Sequence, residues 1–277
     1  MKKSLIWVIS VIITLGAAVY QRLTGPTYPE TYKIGIGDQV QKISLPTSHG
    51  GETDKRISIE EPEPAMEGFI VFRRFPTNEA WDTIFMQYEE DYLTGYLPHQ
   101  PPAGKLEYQL ILKADTTFIT VNEQPVIIRF RGNVPGYVLI PHILFIFAAM
   151  LFSTVTGIFA ICNYSRYRVY AWVTLFLLIT GGLILGPVIQ KFAFGDFWTG
   201  FPFGKDLTDN KILIAFIFWL AAIIANLKKE RRWIIIVAAL IYFIINIIPH
   251  SLFGSELDYT SGKVVTGIIM HNMPIKF

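Results

Sequence analysis

The chain has 277 residues, 52% of them hydrophobic, 14% aromatic and only 17% charged, well short of the roughly one-quarter charged share of an ordinary soluble domain. Its net charge of +2 offers neither a basic surface suited to nucleic acid nor an acidic tail. The single cysteine, Cys162, excludes an intrachain disulfide, a CxxC redox pair and a covalent haem motif, and reads as a small buried apolar residue.

In residues 1–22 an apolar run, SLIWVISVIITLGAAVY (4–20), follows Lys2 and Lys3. By the positive-inside rule this is an N-terminal transmembrane helix or signal anchor with its start in the cytoplasm. A cleaved signal peptide is the alternative, with Gly16, Ala17 and Ala18 near a cleavage site but no A-x-A. Either way the following segment lies outside the cytoplasm.

Residues 23–136 change to short β-type segments separated by Pro, Gly and Asn: QVQKISL, KRISIEE, GFIVFRRF, TIFMQY, KLEYQLILK, TFITV and PVIIRFR. About seven strands with such turn signals predict an antiparallel β-sandwich, broadly immunoglobulin-like. The proline-rich LPHQPPAG (97–104) is a stiff connection into one of them. Arg73, Arg74, Arg129 and Arg131 read as outward-facing strand positions, and His49 and His99 as solvent-exposed.

Residues 137–250 predict a four-helix transmembrane domain, with apolar runs near 143–161, 170–189, 212–226 and 233–248. The whole is therefore a multi-pass α-helical membrane protein of about five transmembrane helices with an inserted extracytoplasmic sandwich. Arg166 and Arg168, and Lys228, Lys229, Arg231 and Arg232, mark two cytoplasmic loops. That topology, in a cell (inner) membrane, puts the loop 190–211 and the tail 251–277 on the outer side with the β domain. In the tail, Glu256, Asp258 and His271 read as a polar turn at the end of the last helix, with metal binding or proton exchange as the alternative.

Chemistry-bearing residues concentrate at the outer face. His142 opens the second helix, with Pro141 as a first-turn residue, and His250 closes the fifth after Pro249; helix arithmetic places both level with the loop KFAFGDFWTGFPFGKDLTDNK. That loop interleaves Phe192, Phe194, Phe197, Trp198, Phe201 and Phe203 with Gly195, Gly200 and Gly204. Flat rings on a tightly folding backbone suit a planar ligand such as haem, whose iron takes one imidazole on each side. The order histidine, two helices, aromatic outer loop, two helices, histidine resembles the haem-handling proteins of cytochrome c biogenesis, known for a tryptophan-rich WWD segment. Gly195, Phe197, Trp198, Leu207 and Thr208 match that segment, whereas Phe201, Pro202 and Phe203 replace its centre, and Lys191, Lys205 and Lys211 are the only basic candidates for haem propionates. The resemblance covers about residues 141–251. It implies that Phe197 and Trp198, with neighbours including Phe201 and Phe203, form a haem-edge platform, with His142 and His250 as axial metal ligands.

Other readings stand beside it. Interfacial Phe and Trp form an anchoring belt, Thr208, Asp209 or Asn210 can cap the fourth helix, and a proline-histidine pair can mark a helix end. There is no GxSxG, HExxH, Walker or GxGxxG motif, and no row of charges within the later helices. The functional expectation is a non-enzymatic haem-binding or haem-handling membrane protein whose β domain docks a protein partner. The alternatives are a structural or accessory subunit of an envelope complex, with no cofactor, and copper or other metal handling.

Overall fold

The structure, a computed structural model, describes residues 2–36, 39–60, 66–249 and 254–266. The chain divides into a helical unit, comprising residues up to Pro26, Val134–Ser255 and those from Thr266 on, and a β unit of Thr27–Asn133 with Glu256–Val265.

The helical unit contains α1 (Lys3–Thr24), α2 (Gly136–Ile161), α3 (Tyr167–Leu178), a π-helical segment (Ile179–Leu185), α4 (Gly186–Phe194), α5 (Leu207–Ala225) and α6 (Arg232–Ile247). Its polarity is inverted relative to a bundle in water. Along α1, Leu5, Val8, Ile12, Leu15 and Val19 are exposed, a stripe at three- and four-residue spacing. The opposite side buries Ile6, Ser10, Thr14 and Ala17. Two buried hydroxyls, those of Thr156 and Thr174, donate to carbonyls four residues back in their own helices at 2.6 and 2.9 Å. Small residues bring helices close, and a Cβ on Gly157 would stand 2.8 Å from that of Ala239. Four helical stretches, Lys3–Thr24, Gly136–Ile161, Tyr167–Phe194 and Leu207–Ala225, are long and apolar enough to cross a membrane, which marks this unit for association with a bilayer. The fifth, α6, has 16 residues, a rise of about 24 Å.

Neighbouring helices alternate in direction. The Lys3 ammonium stands over the Tyr164 ring at 5.7 Å, and Trp7 meets Phe152 at 5.6 Å. At the other end of α1, Gln21 donates to the Asn246 carbonyl at 2.7 Å. One end of the unit thus gathers the start of α1 with the α2–α3 and α5–α6 turns. The opposite end gathers the close of α1, the α4–α5 loop and the close of α6.

Helix α2 begins at Gly136, earlier than the apolar run alone predicts, so Pro141 lies inside it and His142 is in its second turn. The apolar residues Tyr137 to Ile140 extend the helix backwards, and Pro141 forfeits only the one amide that would reach the Tyr137 carbonyl. The π-helical segment falls where neighbours press on bare backbone: Cβ atoms on Gly181 and Gly182 would lie 2.9 Å from Phe145 Cβ and 2.7 Å from Ile212 Cγ2.

The β unit has β1 (Glu30–Ile36), β2 (Gln39–Leu45), β3 (Ser48–Gly50), β4 (Lys55–Glu60), β5 (Glu67–Arg74), β6 (Asp82–Phe85), β7 (Gln87–Glu89), β8 (Tyr92–Leu97), β9 (Lys105–Ala114), β10 (Thr117–Thr120), β11 (Val126–Arg131), β12 (Glu256–Asp258) and β13 (Lys263–Val265). A six-stranded sheet runs β3-β11-β9-β5-β6 with β10 beside β9, and a three-stranded sheet runs β4-β8-β7. Both share one core with the β1–β2 hairpin, through Ile34, Leu45, Ile59, Ile70, Leu93 and Leu110. The sheets are antiparallel except where β3 joins β11 in parallel, a departure from the all-antiparallel expectation.

Four local differences stand out. The single predicted strand TIFMQY is split at Met86, which sends β6 to one sheet and β7 to the other. Strand β8, absent from the predicted segments, carries Gly95, where a Cβ would stand 2.7 Å from Ile70 Cδ1, so the glycine lets the sheets close. Arg129 is buried rather than outward-facing, because β11 is covered on both faces. His49 and His99 are half-buried, their rings edge-on to Phe130 at 5.7 and 6.0 Å.

Glu256, read from sequence as part of a helix-end turn, completes the β unit. Its carboxylate bonds the Lys105 ammonium, the two side chains being 6% and 2% exposed. Leu257 N–H donates to the Ala103 carbonyl at 3.1 Å, and the Tyr259 hydroxyl accepts the Lys105 amide at 3.0 Å. The β12–β13 turn is closed by Asp258, which accepts the Thr260 amide at 2.9 Å and the Ser261 hydroxyl at 2.6 Å. His271 lies outside the described residues.

Burial holds the Lys105 ammonium below the ordinary lysine range, and the bond and charge of Glu256 only partly offset it. Glu256→Ala, which strands that cation, is expected to cost about 3–5 kcal/mol, read as a fall in the urea midpoint for proteolysis of the β unit. Because the folded pKa is depressed, the unfolded chain keeps a proton that the fold has released between that lower value and 10.5. Stability contributed by this group therefore rises with pH through that window, and Lys105→Met is expected to abolish the rise.

Candidate functional site

The aromatic loop is built from two helix ends. Helix α4 runs on to Phe194, past the predicted start of the loop, and stops at Gly195, whose φ of +94° is the left-handed cap that glycine supplies without strain. At the far side the cap of α5 is Asp206, two positions ahead of the first residue expected to serve. Its Oδ1 accepts the amides of Thr208 at 2.8 Å and Asp209 at 3.3 Å.

Asp209 and Asn210, freed from capping, turn back into the loop. Asp209 Oδ2 accepts the amides of Thr199 at 2.7 Å and Gly200 at 3.0 Å, and Asn210 Oδ1 accepts that of Phe201 at 2.7 Å. Gln190 donates to the Thr199 hydroxyl, and Asp206 N–H to the Thr199 carbonyl at 3.0 Å. The glycine spacing belongs to this brace. A Cβ on Gly200 would stand 2.6 Å from Asp209 Cβ, and one on Gly204 would overlap the Thr199 carbonyl.

The rings lie outside the brace. Phe197, Phe201 and Phe203 are exposed, the last two at 68% and 83%. Trp198 is half-buried, its indole N–H donating to the Phe201 carbonyl at 3.0 Å. The Lys191 ammonium bonds the Gly195 carbonyl and stands 5.4 Å from the Phe197 ring centre.

His142 is placed elsewhere along the helices. Its Nδ1 donates to the Gly181 carbonyl at 2.9 Å, in the π-helical segment, and its ring borders Gly186. From Gly186, helix α4 has nine residues, so about 12 Å of rise separates that level from the loop. The structure therefore places Phe197, Trp198, Phe201 and Phe203 on the braced loop and leaves His142 apart from that loop. His250 lies outside the described residues.

Lys211 does more than its place among possible propionate partners suggested. It is buried, and its ammonium donates to the Ile248 carbonyl at 2.7 Å. Gln21 reaches the same carbonyl at 3.3 Å and that of Asn246 at 2.7 Å. Three helices are thus tied through the orphan carbonyls at the close of α6, where a cation also suits the helix dipole. A lone lysine in the second turn of an apolar helix was the available signal.

Among the described residues, no group of three or more His, Cys, Asp or Glu side chains is arranged to hold a metal ion. The loop's polar groups satisfy one another and its rings face outward. Protein-family models, curated proteins and solved structures provide no match to this chain.

Replacing the central acceptor tests the brace. Asp209→Ala is expected to lower stability in detergent by about 2–4 kcal/mol, since it orphans buried amides that a carboxylate now satisfies, and to speed cleavage between Gly195 and Lys205. Asp196→Ala, on the exposed part of the loop, is expected to change neither.

Proposed function

We propose that this chain is a multi-pass protein of the cell (inner) membrane that serves as an accessory subunit of an envelope complex, its helices anchoring an extracytoplasmic, broadly immunoglobulin-like β unit that docks a protein partner. The orientation is supported by charge. One end of the helical unit carries Lys2, Lys3, Arg166, Arg168, Lys228, Lys229, Arg231 and Arg232 against the single acid Glu230, the bias expected of a cytoplasmic face. The chain leaves for the β unit at Pro26, Val134 and Ser255, all from the opposite end. There the exposed rings of the braced loop suit headgroup depth and act as an interfacial belt.

The observation that carries the docking role is a patch on the six-stranded sheet. Phe69 meets Phe85 at 5.4 Å and Phe118 at 6.4 Å, and the latter two rings are 71% and 63% exposed. Contiguous aromatic surface of this kind marks a protein interface. Isolated in gentle detergent, the wild-type chain is expected in an assembly larger than its own mass. Phe85→Glu with Phe118→Glu should release it as a monomer of unchanged melting temperature, and a wild-type monomer would overturn the reading.

The single cysteine tests the orientation directly. Cys162, half-buried beside the basic α2–α3 turn, is expected to resist a membrane-impermeant maleimide in intact cells and to react after lysis. In a Cys162→Ser background, Lys205→Cys should react from outside. The opposite pattern would invert the topology.

A second reading places haem at His142. It is favoured by the Nδ1 bond to Gly181, which fixes the ring and leaves Nε2 as the nitrogen that would face a metal. The described residues supply one oriented imidazole, with the aromatic loop apart from it and Lys211 and Lys191 engaged with backbone carbonyls, so they do not compose a haem pocket. A Soret band in the purified chain that disappears in His142→Ala would restore haem handling; a colourless chain after haem is supplied would end it.

A further inference from the structure

The basic end of the helical unit also contains a groove between α3, α5 and α6. We infer that it binds an anionic phospholipid, with Arg168 holding the headgroup phosphate and the groove seating part of an acyl chain. This rests on the membrane reading above.

The groove has a volume of about 200 Å3 and is walled by Ala171, Trp172, Ile223, Leu227 and Ile235, with Arg168 and Asn226 at its polar end. Its apolar walls and single cation match the two halves of a phospholipid. Trp172, Leu227 and Trp233 are exposed around it, and tryptophan at that depth favours the border between hydrocarbon and headgroups. Beside it opens a cleft of about 670 Å3 lined by Lys229, Glu230, Arg231, Arg232 and Trp233, large enough for a headgroup and polarised toward anions.

The polar side chains divide into those already engaged and one that is loosely held. Asn226 is saturated: its Oδ1 accepts from Tyr167 and from the Arg231 amide, and its Nδ2 donates to the carbonyls of Ala222 and Arg231. It fixes the α5–α6 turn as a wall of the groove. Arg232 bonds Asn163 and Glu230 and stands 5.7 Å from the Tyr167 ring centre. Arg168 has a long Nε contact to the Tyr167 hydroxyl, at 3.4 Å, and stands 3.9 Å from Glu230. Such a pairing exchanges readily for a phosphate, whose oxygens meet the guanidinium fork two at a time. Basic pockets between helices on a cytoplasmic face recognise acidic headgroups in this way.

The test is native mass spectrometry of the full chain in non-ionic detergent, with dioleoyl phosphatidylglycerol or dioleoyl phosphatidylcholine added at equal concentration. Phosphatidylglycerol is expected to be retained preferentially, Arg168→Gln to weaken its retention about fivefold, and Lys205→Gln, at the other end, to leave it unchanged. Glycerol 3-phosphate should not displace the lipid, because it lacks the chain that fills the groove. Equal retention of the two lipids would overturn the inference, as would an Arg168→Gln protein of unchanged melting temperature and unchanged retention, or displacement by glycerol 3-phosphate. Should Arg168→Gln not fold, the wild-type selectivity decides alone. Release of the chain from membranes by alkaline carbonate would instead bring down the membrane reading itself.

Discussion

Everything in the helical unit depends on an exchange of inside and outside. Leu5, Val8, Ile12, Leu15 and Val19 face away from the bundle while Ser10 and Thr14 face into it, an arrangement that water would disfavour and hydrocarbon favours. A backbone group freed at a helix end and buried there needs a partner from the protein. That requirement explains why the polar residues cluster where they do. Gln21 and Lys211 close the carbonyls of α6, Asn226 closes the α5–α6 turn, and Asp206, Asp209 and Asn210 answer amides between α4 and α5.

The same economy governs the aromatic loop. Once its polar atoms are spent on the brace, only the rings remain to face the surroundings, and Gly200 and Gly204 are required because the strand of loop crosses itself without room for a Cβ. Interfacial aromatic character and tight glycine spacing therefore follow from one cause, the doubling back of Asp209 and Asn210, and need no bound ligand to account for them.

The helices were legible because apolar runs and basic loops are long-range features of the sequence itself, and their positions differ from the structure only at ends such as Gly136 and Phe194. The presence of a β domain was legible from alternation in KLEYQLILK and PVIIRFR. What could not be read were features decided by the partner rather than by the segment. The role of Gly95 in β8 shows only once Ile70 is packed against it, and Arg129 looks outward until both faces of β11 are covered. For the site, sequence identified the loop and its aromatic residues, but offered Thr208, Asp209 or Asn210 as the cap where Asp206 serves. It set His142 level with the loop because Pro141 looked like a helix start. Lys105 and Glu256 lie 151 positions apart, and no local pattern announces their meeting.

That meeting also sets an order of events. Lys105 is synthesised before α2–α6 and Glu256 after all of them, so the β unit is left with an unanswered buried cation until the segment that follows the last helix has been made. The β unit can reach its finished state only in a chain that has been made through Glu256. A chain stalled partway thus presents an unfinished β unit, by which incomplete molecules are distinguishable from complete ones.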